Sequence, residues 1–125
     1  MSSDPVSIHC VNATNRGLAN HPVTYGVPLR AGALRDAGGL AIRLESGRLR
    51  PVQTRVLSRH VDGSIRWLLL DFEVPLPKNG SRTVTLTRAR VRAPAGIQVR
   101  EDAQRVTVTT PHYRVALSKK EFALF

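Results

Sequence analysis

Arg59, His60 and Asp62 fall within one short stretch of the chain. They bring together a guanidinium, an imidazole that exchanges protons near neutral pH, and a carboxylate, the group types that proton transfer beside a charged substrate requires. The same residues open a turn. In Asp62-Gly63-Ser64 the carboxylate can bond local backbone amides and glycine supplies a positive backbone angle, which completes a tight reversal. The turn reading is the one adopted, and it leaves Arg59 and His60 as candidate contacts for a polar ligand. Two aromatics could add a stacking face against the C–H surface of a pyranose: Tyr25, in a Gly/Pro-rich stretch, and Trp67. The neighbours of Trp67 are Leu68, Leu69 and Leu70, so it is expected in the core with its indole N–H bonded internally. Tyr25 is expected to pack over the mouth of a barrel.

The remaining reactive side chains do not assemble. His9, His21 and His112 are isolated, with no spacing that sets two imidazoles on one face, and Cys10 is the only cysteine, so no metal site and no internal disulfide is expected. Cys10 sits between apolar Ile8 and Val11 and reads as a buried thiol. Gly26, Gly32, Gly38 and Gly39 lack the strand-turn-helix context of a phosphate cradle, and Ser58, Ser64 and Ser118 lack a nucleophile elbow. No catalytic residue and no cofactor-binding residue is assigned.

The net charge of +10 raises nucleic acid as a partner. Of the 19 basic residues, all but Lys78, Lys119 and Lys120 are arginines, and they are dispersed along the chain rather than clustered. Arg88, Arg90 and Arg92 share one side of an extended segment and read as a solvated strand face. Stacking aromatics are not interleaved with the basic strands, so nucleic acid is disfavoured as a partner. No stretch is apolar enough to span a membrane, and the N-terminus carries no export signal, which makes the cytoplasm the default location for the chain as it stands.

The elements that must position these residues are strands. Apolar and polar residues alternate over residues 6–12, 40–45, 52–58, 82–87, 97–100, 105–109 and 113–117, and a further strand is expected over 121–125. Residues 65–74 are almost continuously apolar, which predicts a central strand buried on both faces. Asp62-Gly63 predicts a hairpin between it and residues 52–58, and Ser46-Gly47, Asn79-Gly80 and residues 101–104 mark further reversals. Residues 20–39, punctuated by Pro22, Gly26, Pro28, Gly32, Gly38 and Gly39, are expected to form an ordered loop with at most one helical turn over 34–37. Residues 88–96, with Pro94 and Gly96, read as a linker or a wide crossover. Many short strands at near-regular spacing give an all-β barrel or sandwich. Phe122 to Phe125 begin an apolar strand that stops, which suggests a truncated chain.

Several phrases in order resemble a family. Val23-Thr-Tyr-Gly-Val-Pro-Leu29, Gly32, Pro51-Val-Gln-Thr-Arg55 and Arg59-His-Val-Asp-Gly-Ser-Ile-Arg-Trp-Leu68 are similar to the N-terminal domain of the exo-rhamnogalacturonan lyases and their YetA-like relatives. The resemblance runs over about residues 5 to 90. It departs at His60, where the family pattern has an aromatic. It implies a small RIFT-type β-barrel over residues 1–109, and over 110–125 the start of a β-sandwich domain, with an (α/α) toroid beyond holding the lyase site. Those downstream domains would be this segment's partners, polysaccharide would be a possible one, and full-length relatives could be extracellular. The implied role is that of a non-catalytic domain in a protein that cleaves rhamnogalacturonan by β-elimination. Tyr25, Arg59, His60 and Trp67 are its candidate carbohydrate contacts. Two other readings stay open: a stand-alone carbohydrate-binding module, and a basic barrel for nucleic acid.

Overall fold

The computed structural model describes residues 6–92 and 96–121. It is all-β, with ten strands among the described residues: β1 (Val6–Val11), β2 (Leu18–Pro28), β3 (Leu40–Arg43), β4 (Leu49–Pro51), β5 (Gln53–Arg59), β6 (Ile65–Leu76), β7 (Ser81–Arg88), β8 (Gln98–Glu101), β9 (Arg105–Thr109) and β10 (Arg114–Ser118). The chain divides into two compact units, Met1–Arg92 and Ala93–Phe125.

In the first unit, an antiparallel sheet of order β1-β7-β3-β4 and a second of order β2-β6-β5 curl around one core. Leu68, Leu70, Phe72, Val74 and Leu76 of β6 point into it and meet Ile42, Val84 and Leu86 from the other sheet. The tight reversals fall where glycine and asparagine place them. Gly47 (φ 88°) closes β3 onto β4, Gly63 (φ 85°) closes β5 onto β6, and Asn79 (φ 47°) precedes Gly80 between β6 and β7. At Gly80 an added Cβ would lie 2.5 Å from Pro77 Cγ, so no larger residue fits that turn.

Three expectations change. Residues 20–39 are not all loop, because Leu18–Pro28 forms the longest partner of β6 despite Pro22 and Pro28. The physical reason is that β2 is an edge strand and the two prolines share one parity. That parity faces away from β6, while Leu29 of the other parity donates its N–H to the Arg66 carbonyl at 2.9 Å. No helical turn forms over 34–37. Leu34 instead plugs the core, and its carbonyl accepts the Ile65 N–H at 2.7 Å. Strand β6 is buried on one face only. From Trp67 onward its odd-numbered residues look outward, Leu69 half-buried and Trp67 41% exposed, because no third layer of the first unit covers this antiparallel sheet.

The second unit is a meander of order β10-β9-β8, and β10 pairs with β9 from Arg114↔Thr109 to Ser118↔Arg105. The division of the chain into two compact units falls after Arg92, ahead of this meander. Residues 122–125, where the last strand and the truncation were expected, lie outside the described residues, as do Pro94 and its two neighbours. Asp102 turns the β8–β9 hairpin, its carboxylate accepting the amides of Gln104 (2.7 Å) and Arg105 (2.8 Å). Val99, Val108 and Val115 stand in one cross-strand row, with Leu117 on the same side.

Inward and outward residues of this barrel should differ sharply under truncation. Leu70→Ala, at a site with no exposure, is expected to cost about 2–5 kcal/mol in urea denaturation. Leu57→Ala, on the outer side and 51% exposed, is expected to cost about 0.5 kcal/mol or less. Equal losses would contradict the assigned faces.

Candidate functional site

Arg59, His60 and Asp62 lie at the β5–β6 reversal, and each is occupied by the fold. His60 N–H donates to the Ser64 carbonyl at 2.8 Å and Gly63 N–H to the His60 carbonyl at 3.0 Å, which closes the turn. The His60 ring reaches the Leu29 carbonyl at 2.8 Å, and because a carbonyl only accepts, Nε2 carries the proton. Arg59 Nη1 donates to the carbonyls of Gly63 (2.8 Å) and Arg35 (3.1 Å). Arg35 in turn donates to the Asp62 carbonyl at 2.7 Å. The Asp62 carboxylate accepts the amide of Ser64 at 2.9 Å and also its hydroxyl.

Ser64 joins this turn to the loop before β3. Its hydroxyl is fully buried, donates to Asp62 Oδ1 and accepts the Gly32 N–H at 2.8 Å. The hydrogen bonds from Ser64, side chain first and then amide, hold the Asp62 carboxyl below the ordinary aspartate range, with Arg35 and His60 adding positive charge. A carboxylate so lowered is a poor base at neutral pH. The group set that could have moved a proton instead welds residues 59–66 to residues 29–35.

Trp67 is the clear departure from expectation. It is exposed rather than core, and its indole N–H has no hydrogen bond among the described residues. The cause is parity: Leu68 takes the inward position, and a bulge in β5 opposite Trp67 leaves Leu57 facing outward beside it. Gly26, on the neighbouring strand, would place a Cβ 4.0 Å from Trp67 Cε3, so the ring's edge lies over a residue without a side chain. Arg55 stands on the same face, paired with Leu69. Leu57 and Arg55 were not singled out from the sequence, although their alternation with Val56 carries the signal.

Tyr25 is on β2 rather than in a loop, 50% exposed on the inner side of the sheet. It borders an open cleft of about 610 Å³ between the outer edges of β1 and β2, with Ile8, Cys10, Leu18, Val23 and His21 around it. Burial pushes the Cys10 thiol up, which keeps it protonated and inert. Tyr25 and Trp67 therefore lie on opposite faces of one sheet and do not form a joint site. At one end of the cleft, Asn12 uses its whole side chain: Nδ2 donates to the carbonyls of Arg16 (2.8 Å) and Pro77 (3.1 Å), and Oδ1 accepts from Thr14. This second buried polar node fixes the β6–β7 turn against the end of β1, and its sequence signal, an Asx-turn residue after an apolar strand, passed unremarked. No group of three or more His, Cys, Asp or Glu side chains converges among the described residues.

The family model of the PcRGLX-like N-terminal RIFT barrel domain matches residues 4–87, which takes in β1 and all but the last residue of β7. The chain belongs to this family. No curated protein matches the chain. In this PcRGLX-like barrel the quoted phrases have physical places. Tyr25 and Gly26 lie on β2, Pro51 to Gln53 cross from β4 to β5, and Arg59 to Trp67 form the hairpin that carries the weld. The family match ends within the first unit, before β8.

Two measurements check the weld. Ser64→Ala removes a fully buried hydroxyl that accepts the Gly32 amide and donates to Asp62, so a loss of about 1–3 kcal/mol is expected. The pH dependence has a definite sign. A carboxylate whose folded pKa lies below its unfolded value adds stability that is present above the unfolded value, about 3.9, and lost as pH falls through the folded one. The stability advantage of the wild type over Asp62→Asn should therefore hold at neutral pH and fade in strong acid. An advantage that grows on acidification would contradict the assignment.

Proposed function

We propose that this chain is the non-catalytic N-terminal barrel of a polysaccharide lyase-like protein acting on rhamnogalacturonan-type pectin, and that it braces a β-sandwich and an (α/α) toroid that carry the chemistry. The observation that carries the reading is the joint one of family and wiring. A PcRGLX-like barrel covers residues 4–87, and the Arg59, His60 and Asp62 cluster of cation, imidazole and carboxylate is spent largely on backbone hydrogen bonds between two loops. β-Elimination from a uronide needs a base at C5, an acid at the leaving oxygen and a cation at the carboxylate, all free to meet substrate. Arg59, His60 and Asp62 are not free in that sense.

The second unit supports the bracing role. Val99 and Leu117 in the strands of its meander, with Ile97 just before β8 and Tyr113 just before β10, are all exposed. An antiparallel sheet with an apolar side is stable when a second layer covers it. A sandwich partner sheet is the cover this reading supplies.

The product of β-elimination is an unsaturated uronide that absorbs near the ultraviolet edge. The purified chain incubated with rhamnogalacturonan is expected to give no rise in that absorbance. A protein-dependent rise that disappears in Arg59→Ala or His60→Ala would overturn the non-catalytic assignment. Bracing has its own readout: joined to the sandwich domain, the barrel and meander should melt at a higher temperature than alone, and an unchanged melting temperature would contradict it.

A further inference from the structure

The two sheets of the first unit leave a seam on one side. Strand β1 ends the order β1-β7-β3-β4 and β2 ends the order β2-β6-β5, and between their outer edges lies the open cleft of about 610 Å³ that Tyr25 borders. Ile8, Cys10, Leu18, Val23 and Leu76 supply its apolar wall, and no Asp, Glu, Lys or Arg lines it among the described residues. The backbone at this seam differs between its two sides. The Asn12 N–H donates to the Gly80 carbonyl at 2.8 Å, and backbone groups along an antiparallel strand alternate in direction, so Ile8 and Cys10 bond to β7 while Ser7, His9 and Val11 turn N–H and C=O into the seam. No strand pairs with that edge among the described residues. Its three free donor and acceptor pairs span about 14 Å of extended chain. Across the seam β2 turns Pro22, Thr24, Gly26 and Pro28 the same way, and the two prolines leave only two N–H groups there. Proline and charge are common guards of a free edge, and β1, from Val6 to Val11, carries neither.

From this placement we infer that the seam takes up an extended segment of a separate polypeptide, which adds to the barrel as a strand antiparallel to β1. Residues of the segment opposite Ser7, His9 and Val11 exchange both backbone bonds with them and face outward, where side chains of many kinds are tolerated. Residues opposite Ile8 and Cys10 point into the cleft, so they are apolar and uncharged. The chemistry recognised is a strand with apolar side chains at every second position. Free donor and acceptor pairs repeating at strand spacing select polypeptide over a lipid chain, which would leave them without partners. A second copy of this chain fits less well, because the β1 edge it would offer is confined within its own seam, facing its own β2. Strand addition here needs nothing from the pectin reading.

The probe is a capped peptide of alternating valine and threonine, matched to β1 in length. Amide hydrogen exchange read by NMR on the whole chain should find Ile8 and Cys10 slow before peptide is added, and Ser7, His9 and Val11 fast. Saturating peptide should slow the second set. With its valines inward, the peptide presents its threonine amides to β1. N-methylation of those amides should weaken binding about tenfold, the loss of one to two hydrogen bonds, whereas N-methylation of the valine amides should leave the affinity nearly unchanged. His9→Pro removes a seam amide that pairs with no other strand, and should weaken the unmodified peptide by a similar factor. If that variant fails to fold, the two methylated peptides decide the question on the wild type. Ser7, His9 and Val11 already slow in the free monomer would mean that a segment of this chain fills the seam, and slowing that grows with protein concentration would mean that a second copy does. Either result overturns the inference. So would no saturable effect at millimolar peptide, equal losses from the two methylation patterns, protection of Thr24 and Gly26 in place of the β1 amides, or tighter binding of laurate than of peptide.

Discussion

The hydroxyl of Ser64 is buried, and a buried hydroxyl without partners would cost more than most single contacts contribute. Here it has two: it donates to Asp62 and accepts the amide of Gly32. Through those bonds the β5–β6 turn is held against the loop that connects β2 to β3, the crossing from one sheet to the other. The neighbouring bonds reinforce the same junction. Leu34 feeds its carbonyl to Ile65 while its side chain fills the core, Arg59 clamps two carbonyls across the gap, and the His60 ring secures Leu29. At the far end of β6 the Asn12 node performs the matching task for the turn around Pro77 to Gly80.

Between these two nodes β6 runs as the spine of its sheet, and its parity decides what each face can do. Inward residues from Leu68 to Leu76 exclude water and account for much of the core. Outward residues are left over. Because an antiparallel sheet in a single-walled barrel has one solvated face, Trp67 can be large, aromatic and exposed without harm to folding. The weld and the exposed Trp67 are adjacent for that reason. The hairpin that must be rigid for the barrel to close also presents Trp67 two residues beyond Ile65.

Much of this was legible in the sequence. Alternation located β1, β3, β5, β7 and β9 to within a residue or two, and the Asp62-Gly63 signal placed the hairpin, because turn chemistry and period-two patterning are local. The phrases around Gly26, Gln53 and Trp67 pointed to the family to which the chain belongs. What was not legible depended on partners. Pro22 and Pro28 look like strand breakers until β2 is known to be an edge strand with both prolines turned outward. Trp67 looks like core until the bulge at Leu57 and Ser58 sets which of Trp67 and Leu68 faces in. The run from Leu68 to Leu70 carries no alternation of its own, so composition alone could not assign its faces. The outward place of Arg55 followed only from the row it shares with Leu69.

The account stands on Asp62 and Ser64 acting as one unit, and a double-mutant cycle tests that directly. Ser64→Ala, Asp62→Ala and the double variant are unfolded in urea at neutral pH beside the wild type. If the two side chains share the bonds described, the double variant loses measurably less than the sum of the single losses. Losses that simply add would mean that the two residues act independently and that the barrel is held by something other than this weld.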